Sequence, residues 1–299
     1  MLTFLFWNMG GDLPKKTPAL LVSERKARLL GILSNLTRQN VVDLLVLAEC
    51  PLSRADILRG VNAGNSNPYR EPDGKSLCER VTIYPRFPHR YLSLYGGSES
   101  SKYSCRHVRL PGRPEFLLFA AHFGSKLHKS EESQTLAAPV FSPIIRLAEK
   151  RARHQRTILV GDLNMNPFDT AVVGAEGLNA VMTRELAQRD SRTVDHRAYP
   201  FFYNPMWGLF GDSTHERYPP GHPDHEPPGT CYYKASESKW YYWNMMDQVL
   251  LRPDLLPFFR NDELKILASD GTTEFLDARG LPRRDEISDH LPLLFRIHI

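Results

Sequence analysis

The residues best suited to chemistry stand where apolar runs end. Thr157 to Pro167 reads TILVGDLNMNP, a β-branched and aliphatic run that stops on Gly161 and delivers Asp162 and Asn164. In an extended chain side chains alternate, so these two point to one side. An acid and an amide converging there can hold a divalent cation, a water or a phosphate oxygen. Taken alone they are equally ordinary turn formers after a strand, but the pattern recurs. Asn8 closes LTFLFWN, Glu49 closes DLLVLAE, His122 closes EFLLFAAH, Asp247 stands near the start of MMDQVLL, and Ser288-Asp289-His290 precede the strand-like LPLLFRI. Oxygen donors with no thiolate cluster suit a hard cation such as Mg2+ or Mn2+, and imidazole exchanges a proton near neutral pH.

Groups at strand ends need sheets to carry them and helices to cover those sheets. Leu20, Leu21, Leu29, Leu30, Ile32, Leu33 and Leu36 recur near helical spacing, which predicts a helix over Ala19 to Gln39 with one apolar face. Runs around Val81 to Tyr84, Tyr103 to Leu110 and Phe116 to Ala121 read as strands, and PGRP at Pro111 to Pro114 reads as a turn joining the last two in antiparallel fashion. A second helix is expected over Ser130 to Arg153, opening on SEES and ending in basic residues, with Pro139 and Pro143 as places for a kink or a break. The near-continuous apolar runs point to strands covered on both faces.

The stations WN (Trp7-Asn8), AE (Ala48-Glu49), AH (Ala121-His122), GDLN (Gly161 to Asn164), MDQV (Met246 to Val249) and SDHLP (Ser288 to Pro292) span nearly the whole chain. In this order they resemble the endonuclease/exonuclease/phosphatase superfamily, in particular its deoxyribonuclease I-like, two-histidine branch. The resemblance implies an α/β fold, a four-layer α/β/β/α sandwich of two mixed β-sheets flanked by helices. It also implies metal ligation by Glu49 with Asn8 and Asp289, His290 as general base paired with Asp247, His122 as general acid, and Asp162 and Asn164 orienting nucleophile and phosphate. CERVTIYPR (Cys78 to Arg86) is similar to the strand in which that branch keeps a glutamate orienting its first histidine, which would make Glu79 the partner of His122.

Length and composition agree with one catalytic domain over residues 1–299, carrying an aromatic- and Pro-rich insertion near 195–243. Most rings of that insertion read as core. A few, with Trp207 and Trp240 as candidates, could form a stacking wall for a base. His215, His222 and His225 lie in the Pro-rich part of the insertion at irregular spacing and read as loop residues. The widely spaced Cys50, Cys78, Cys105 and Cys231 form no CxxC pair, so neither zinc nor a disulfide framework is expected, and a cytoplasmic location is. No run is long enough to cross a bilayer, and a strand beginning at Leu2 argues against a signal peptide. A formal net charge of +4 permits polyanionic substrates.

The function expected is divalent-metal-dependent hydrolysis of phosphodiester bonds by an activated water, with DNA or RNA as substrate. One alternative is a phosphatase or phosphodiesterase for a small or lipid phosphate, of the inositol phosphate or sphingomyelin type. Another is a non-catalytic binding protein on the same scaffold, against which stands the occupation of every station.

Overall fold

The computed structural model describes residues 1–71, 76–95, 100–124, 137–211, 226–234 and 242–299. Strand β1 (Leu2–Asn8) is buried at every position and is followed by helix α1 (Ala19–Gln39). Leu29, Ile32, Leu33 and Leu36 of α1 are its buried stripe, spaced i, i+3, i+4, i+7 as a helix covering a sheet requires. The chain returns as β2 (Leu44–Ala48), parallel to β1, a pairing that needs such a crossover. Helix α2 (Arg54–Asn62) then opens where Ser53 Oγ accepts the Asp56 N–H at 3.1 Å.

Next come β3 (Val81–Pro85), β4 (Leu92–Leu94), β5 (Tyr103–Val108) and β6 (Phe116–His122), with β5 and β6 antiparallel across the expected turn. Helix α3 (Ala137–Ala152) leads into β7 (Thr157–Asp162), parallel to β6. The SEES stretch lies outside the described residues. Pro143 does not split α3, which continues through it, and Pro139 falls in the first turn, where backbone N–H groups have no intrahelical partner to lose.

Shorter strands follow: β8 (Ala180–Val181), β9 (Ser191–Val194), β10 (Arg197–Pro200), β11 (Phe202–Tyr203), β12 (Cys231–Tyr233) and β13 (Tyr242–Asn244). The chain closes with β14 (Asp247–Leu251), β15 (Lys265–Ile266) and β16 (Leu293–Ile297). One sheet runs β15-β16-β1-β2-β3 and the other β4-β5-β6-β7-β14-β11-β8, each mixing parallel and antiparallel neighbours.

Residue parity shows how the sheets stack. Phe116, Leu118 and Ala120 of β6 join Ile158, Val160, Val249 and Leu251 in one core with Phe4, Phe6 and Phe295 of the five-stranded sheet. The alternate residues Leu117, Phe119, Leu159 and Leu250 pack instead with Phe141, Ile145 and Ala148 of α3. With α1 residues in the first core, the layers are helix, sheet, sheet, helix, the four-layer α/β/β/α sandwich of the sequence reading. Phe4 ties the middle layers, stacking on Phe295 at 4.6 Å and meeting Phe116 edge-on at 6.3 Å.

One buried ion pair anchors α3 to the end of β14. Arg252 Nε and Nη2 contact Glu149 Oε1 and Oε2 at 2.8 and 3.3 Å, and Arg252 Nη1 donates to the Pro200 and Phe201 carbonyls. Tyr199, Phe201, Phe202 and Tyr203 are buried, as expected for most rings of the insertion. Trp240, His215, His222 and His225 lie outside the described residues. Among the described residues no helix is long and apolar enough to cross a membrane.

Candidate active site

Three adjacent strands bring His122, Asp162 and Asp247 into one row. In the sheet register His122 stands opposite Asp162, and Asp162 opposite Asp247. Opposed residues share a face, and parity puts all three on the inner face, toward the end of β1. There Asn8 Nδ2 donates to Asp162 Oδ2 at 2.8 Å, while Asn8 Oδ1 accepts the Gly10 N–H at 3.0 Å. Both ends of the amide are thus engaged. These bonds orient Asn8 against Asp162 and use one of the two lone pairs on Oδ1, so they do not remove the ligand role the resemblance implies.

The pairing of β6 with β7 can continue to this row because residue 161 is glycine. A Cβ there would lie 1.9 Å from the Ala121 carbonyl oxygen. Past the strand, Asp162 Oδ1 accepts the Asn164 N–H at 2.8 Å and Asn164 Nδ2 donates to Phe123 O at 3.2 Å. Asn164 at φ 53° and Glu49 at φ 43° both hold the left-handed conformation, a cost that tends to collect at functional sites.

His290 reaches the row from a separate segment. Leu291 N donates to Thr230 O at 2.8 Å and Tyr232 N to Asp289 O at 3.4 Å, so Cys231 and His290 form a non-hydrogen-bonded antiparallel pair with adjacent side chains. Trp7 Nε1 donates to His290 O at 3.1 Å, and Ser288 Oγ, bonded to Asn8 O, accepts the His290 N–H at 3.1 Å. Held this way, His290 Nδ1 lies 2.8 Å from Asp247 Oδ2, and Asp247 N donates to Thr230 Oγ1 at 3.0 Å. Burial pushes the Asp247 carboxyl up to about 6 against the pull of His290. On the imidazole burial is the largest influence and acts downward, but the charges and hydrogen bonds of Asp247 and Cys231 together outweigh it, and His290 stands well above its ordinary value.

His122 Nε2 lies 3.2 Å from Glu49 Oε1 and 3.5 Å from Asp162 Oδ2. The expected partner Glu79 makes no bond to the ring, and among the described residues the buried His122 Nδ1 has no hydrogen-bond partner. The correction has a simple cause. Glu79 precedes the first residue of β3 on an exposed bend, where its carboxylate stays hydrated. It still lines, with Glu49, His122, Arg54, Arg80 and Tyr84, a cavity of about 640 Å3.

Glu49 and Asp289 flank the Gly10-Gly11 turn. A Cβ on Gly10 would meet Asp289 Oδ1 at 3.2 Å, and one on Gly11 would meet Glu49 Oε2 at 3.6 Å. Two carboxylates facing a cradle that a methyl group would fill suit a hard cation, which takes only one or two carboxylates from the protein. Asp289 Oδ2 has Arg284 Nε as a distant counter-charge at 3.5 Å. A second cluster, His107, Glu115 and His154, lies at the opposite end of the seven-stranded sheet. There the Arg156 N–H donates to His154 Nδ1 at 3.2 Å, which puts the neutral ring's proton on the Nε2 facing Glu115. A proton on Nε2 leaves that ring no free lone pair for a cation on the side facing Glu115, whose Oε1 at 3.9 Å is too far for a hydrogen bond.

Several supporting residues escaped the sequence reading. Asn166, fully buried, donates to Asn244 Oδ1 at 3.0 Å and accepts the Met245 N–H at 2.8 Å, fastening the approach to β14 onto the loop after β7. Its signal was the second asparagine of NMNP. Thr230 carried no signal, while Gly10-Gly11 was visible as GG one residue after the WN station. Trp207 is half-buried against Phe168 at 6.4 Å. Among the described residues the exposed ring of the insertion is Tyr242, on the strand paired with Cys231–Tyr233 beside His290.

No family profile and no curated protein matches the chain. Solved structures do. An endonuclease/exonuclease/phosphatase family protein from Leptotrichia buccalis is similar over 100% of both chains, with a TM-score of 0.56 and 10% identity. The fold is that of the endonuclease/exonuclease/phosphatase superfamily. Two more structures with this fold are similar over the full length of both chains. They are a mannosyl-6-phosphatase of Bacteroides thetaiotaomicron, TM-score 0.55 and 11% identity, and an AP endonuclease of Archaeoglobus fulgidus, 0.51 and 12%. In the endonuclease/exonuclease/phosphatase fold of this chain, the six sequence stations lie at adjacent strand ends.

Proposed function

We propose that the chain is a divalent-cation-dependent phosphodiesterase acting on DNA or RNA. The observation that carries this reading is the row His122, Asp162, Asp247–His290 at one end of the sandwich, with Glu49 against His122. Four free cysteines support work in a reducing cytoplasm.

Each residue has a task in this account. His290, its Nδ1 held by Asp247, takes a proton from water at Nε2, and the Asp247 charge stabilises the imidazolium that forms. His122 Nε2 gives a proton to the leaving oxygen. Asp162, bonded to the Asn8 side-chain amide and the Asn164 backbone N–H, orients the nucleophile and phosphate together with Asn164. Glu49 and Asp289 hold the cation. Magnesium or manganese, when bound, supplies positive charge against the phosphate oxygens.

A second reading, a phosphatase for a small phosphate ester, is favoured by the cavity beside His122, whose wall includes Arg54 and Arg80. Solved structures of the fold include both an endonuclease and a sugar phosphatase, so likeness does not choose between them. Purified protein is incubated with plasmid, single-stranded DNA, RNA, bis-p-nitrophenyl phosphate and p-nitrophenyl phosphate in magnesium. Cleavage of a nucleic acid and of the diester supports the first reading. Turnover of the monoester alone replaces it with the second, and no turnover of any substrate rejects both.

A further inference from the structure

Arg25 lies on the inward side of α1, 5% exposed, and spends its guanidinium on backbone. Nη1 donates to Gly11 O at 2.7 Å, Nη2 to Met9 O and Ile287 O at 2.8 Å each, and Nε to Ile287 O at 3.0 Å. Those carbonyls belong to two segments far apart in sequence, which the Ser288 Oγ bond to Asn8 O also joins. One is the turn Met9 to Gly11, leaving β1; the other is the approach to Ser288, Asp289 and His290. Gly11 N in turn donates to Glu49 O at 2.8 Å. A Cβ on Gly10 would lie 3.5 Å from Arg25 Nη2 and 3.2 Å from Asp289 Oδ1, so the guanidinium forms the underside of the turn that Glu49 and Asp289 flank.

We infer that Arg25 is a positioning residue for the cation: it staples the Gly10-Gly11 turn to the 287–289 segment and so sets the separation of Glu49 and Asp289. The inference rests on the cation reading above. The planar fork matters more than the charge. Five donors in fixed directions can serve three carbonyls at once, whereas the ammonium of lysine, a point charge on a flexible stem, cannot reach both segments in that geometry. A buried arginine spent on carbonyls is costly to desolvate and is offset here by Asp289, Asp12 and Asp285 nearby. Gly10 and Gly11, at φ 70° and 64°, let the turn pass this close to both carboxylates.

The test is Mn2+ binding by titration calorimetry on the full chain, comparing wild type with Arg25→Lys, Arg25→Gln and a control, Ile32→Val, which thins the core under the same helix. Groups that orient metal ligands typically cost about 10- to 100-fold in affinity when removed. That weakening is expected for both Arg25 variants, with Ile32→Val binding as wild type does. Arg25 variants that remain folded and bind Mn2+ with wild-type affinity overturn the inference, as does an equal loss in Ile32→Val. Folded wild type that binds no Mn2+ removes the cation reading and this inference together. Should neither Arg25 variant fold, hydrogen exchange on wild type decides: Mn2+ should slow exchange at Gly11 and at residues 287–289 together, and protection of one segment alone contradicts the staple.

Discussion

His290 Nδ1 sits 2.8 Å from Asp247 Oδ2, although 43 residues separate them in sequence. Because the carboxylate raises the imidazole above its ordinary value near 6.5, a base at His290 works only once pH has climbed past that raised value. We therefore expect kcat/KM to rise through an acid limb centred above the free-histidine value. Asp247→Asn removes the charge responsible, so its limb should move to lower pH while the maximum falls. An unmoved limb in Asp247→Asn assigns the titration to another group.

Which carboxylate serves His122 is decided by mutation. Glu49 contacts the ring and Glu79 does not. His122→Ala should lose about a hundred- to ten-thousand-fold in rate, the usual worth of a positioned proton donor. Glu49→Gln should be strongly impaired and Glu79→Gln close to wild type at saturating substrate. A Glu79→Gln loss as deep as that of His122→Ala would restore the pairing implied by resemblance.

The Arg252–Glu149 pair predicts stability rather than rate. Both side chains are nearly inaccessible, 2% and 4% exposed. Glu149→Ala therefore strands a buried guanidinium, at a cost of about 3–5 kcal/mol. Denaturant unfolding should show that loss, and a change under 1 kcal/mol would mean that the Pro200 and Phe201 carbonyls alone sustain Arg252.

Much of this arrangement was legible in the sequence because it depends on local periodicity. The spacing of Leu29, Ile32, Leu33 and Leu36 marks α1 at its observed bounds, and apolar runs buried on both faces mark β1, β2, β6 and β7. Strand-end positions of His122, Asp162 and Asp247 follow from the same runs. Contacts that depend on the third dimension did not show. Glu79 sits near a matching motif, yet two residues of bend before β3 turn it to solvent. Arg25 carries no sequence signal, since nothing in its neighbours records that three carbonyls await it. Thr230 and Cys231 come from a Pro-rich stretch whose composition reads only as loop.

Among the described residues of the insertion the exposed ring is Tyr242, 54% exposed beside the His290 segment, whereas Trp207 is half-buried. Stacking on a base is worth about 1–3 kcal/mol. Tyr242→Ala should weaken oligonucleotide binding by that amount and spare bis-p-nitrophenyl phosphate, which has no base. Equal losses on both substrates would show that the ring supports the His290 segment instead.

The central claim is that the His122 to His290 row hydrolyses phosphodiesters only with a hard cation held beside it. Its most direct test is the rate of bis-p-nitrophenyl phosphate hydrolysis by protein stripped with chelator, before and after adding back magnesium or manganese. Hydrolysis should vanish in chelator, return with either cation, and fail to return in Glu49→Ala. Undiminished turnover in chelator, with metal removal verified, would contradict the account.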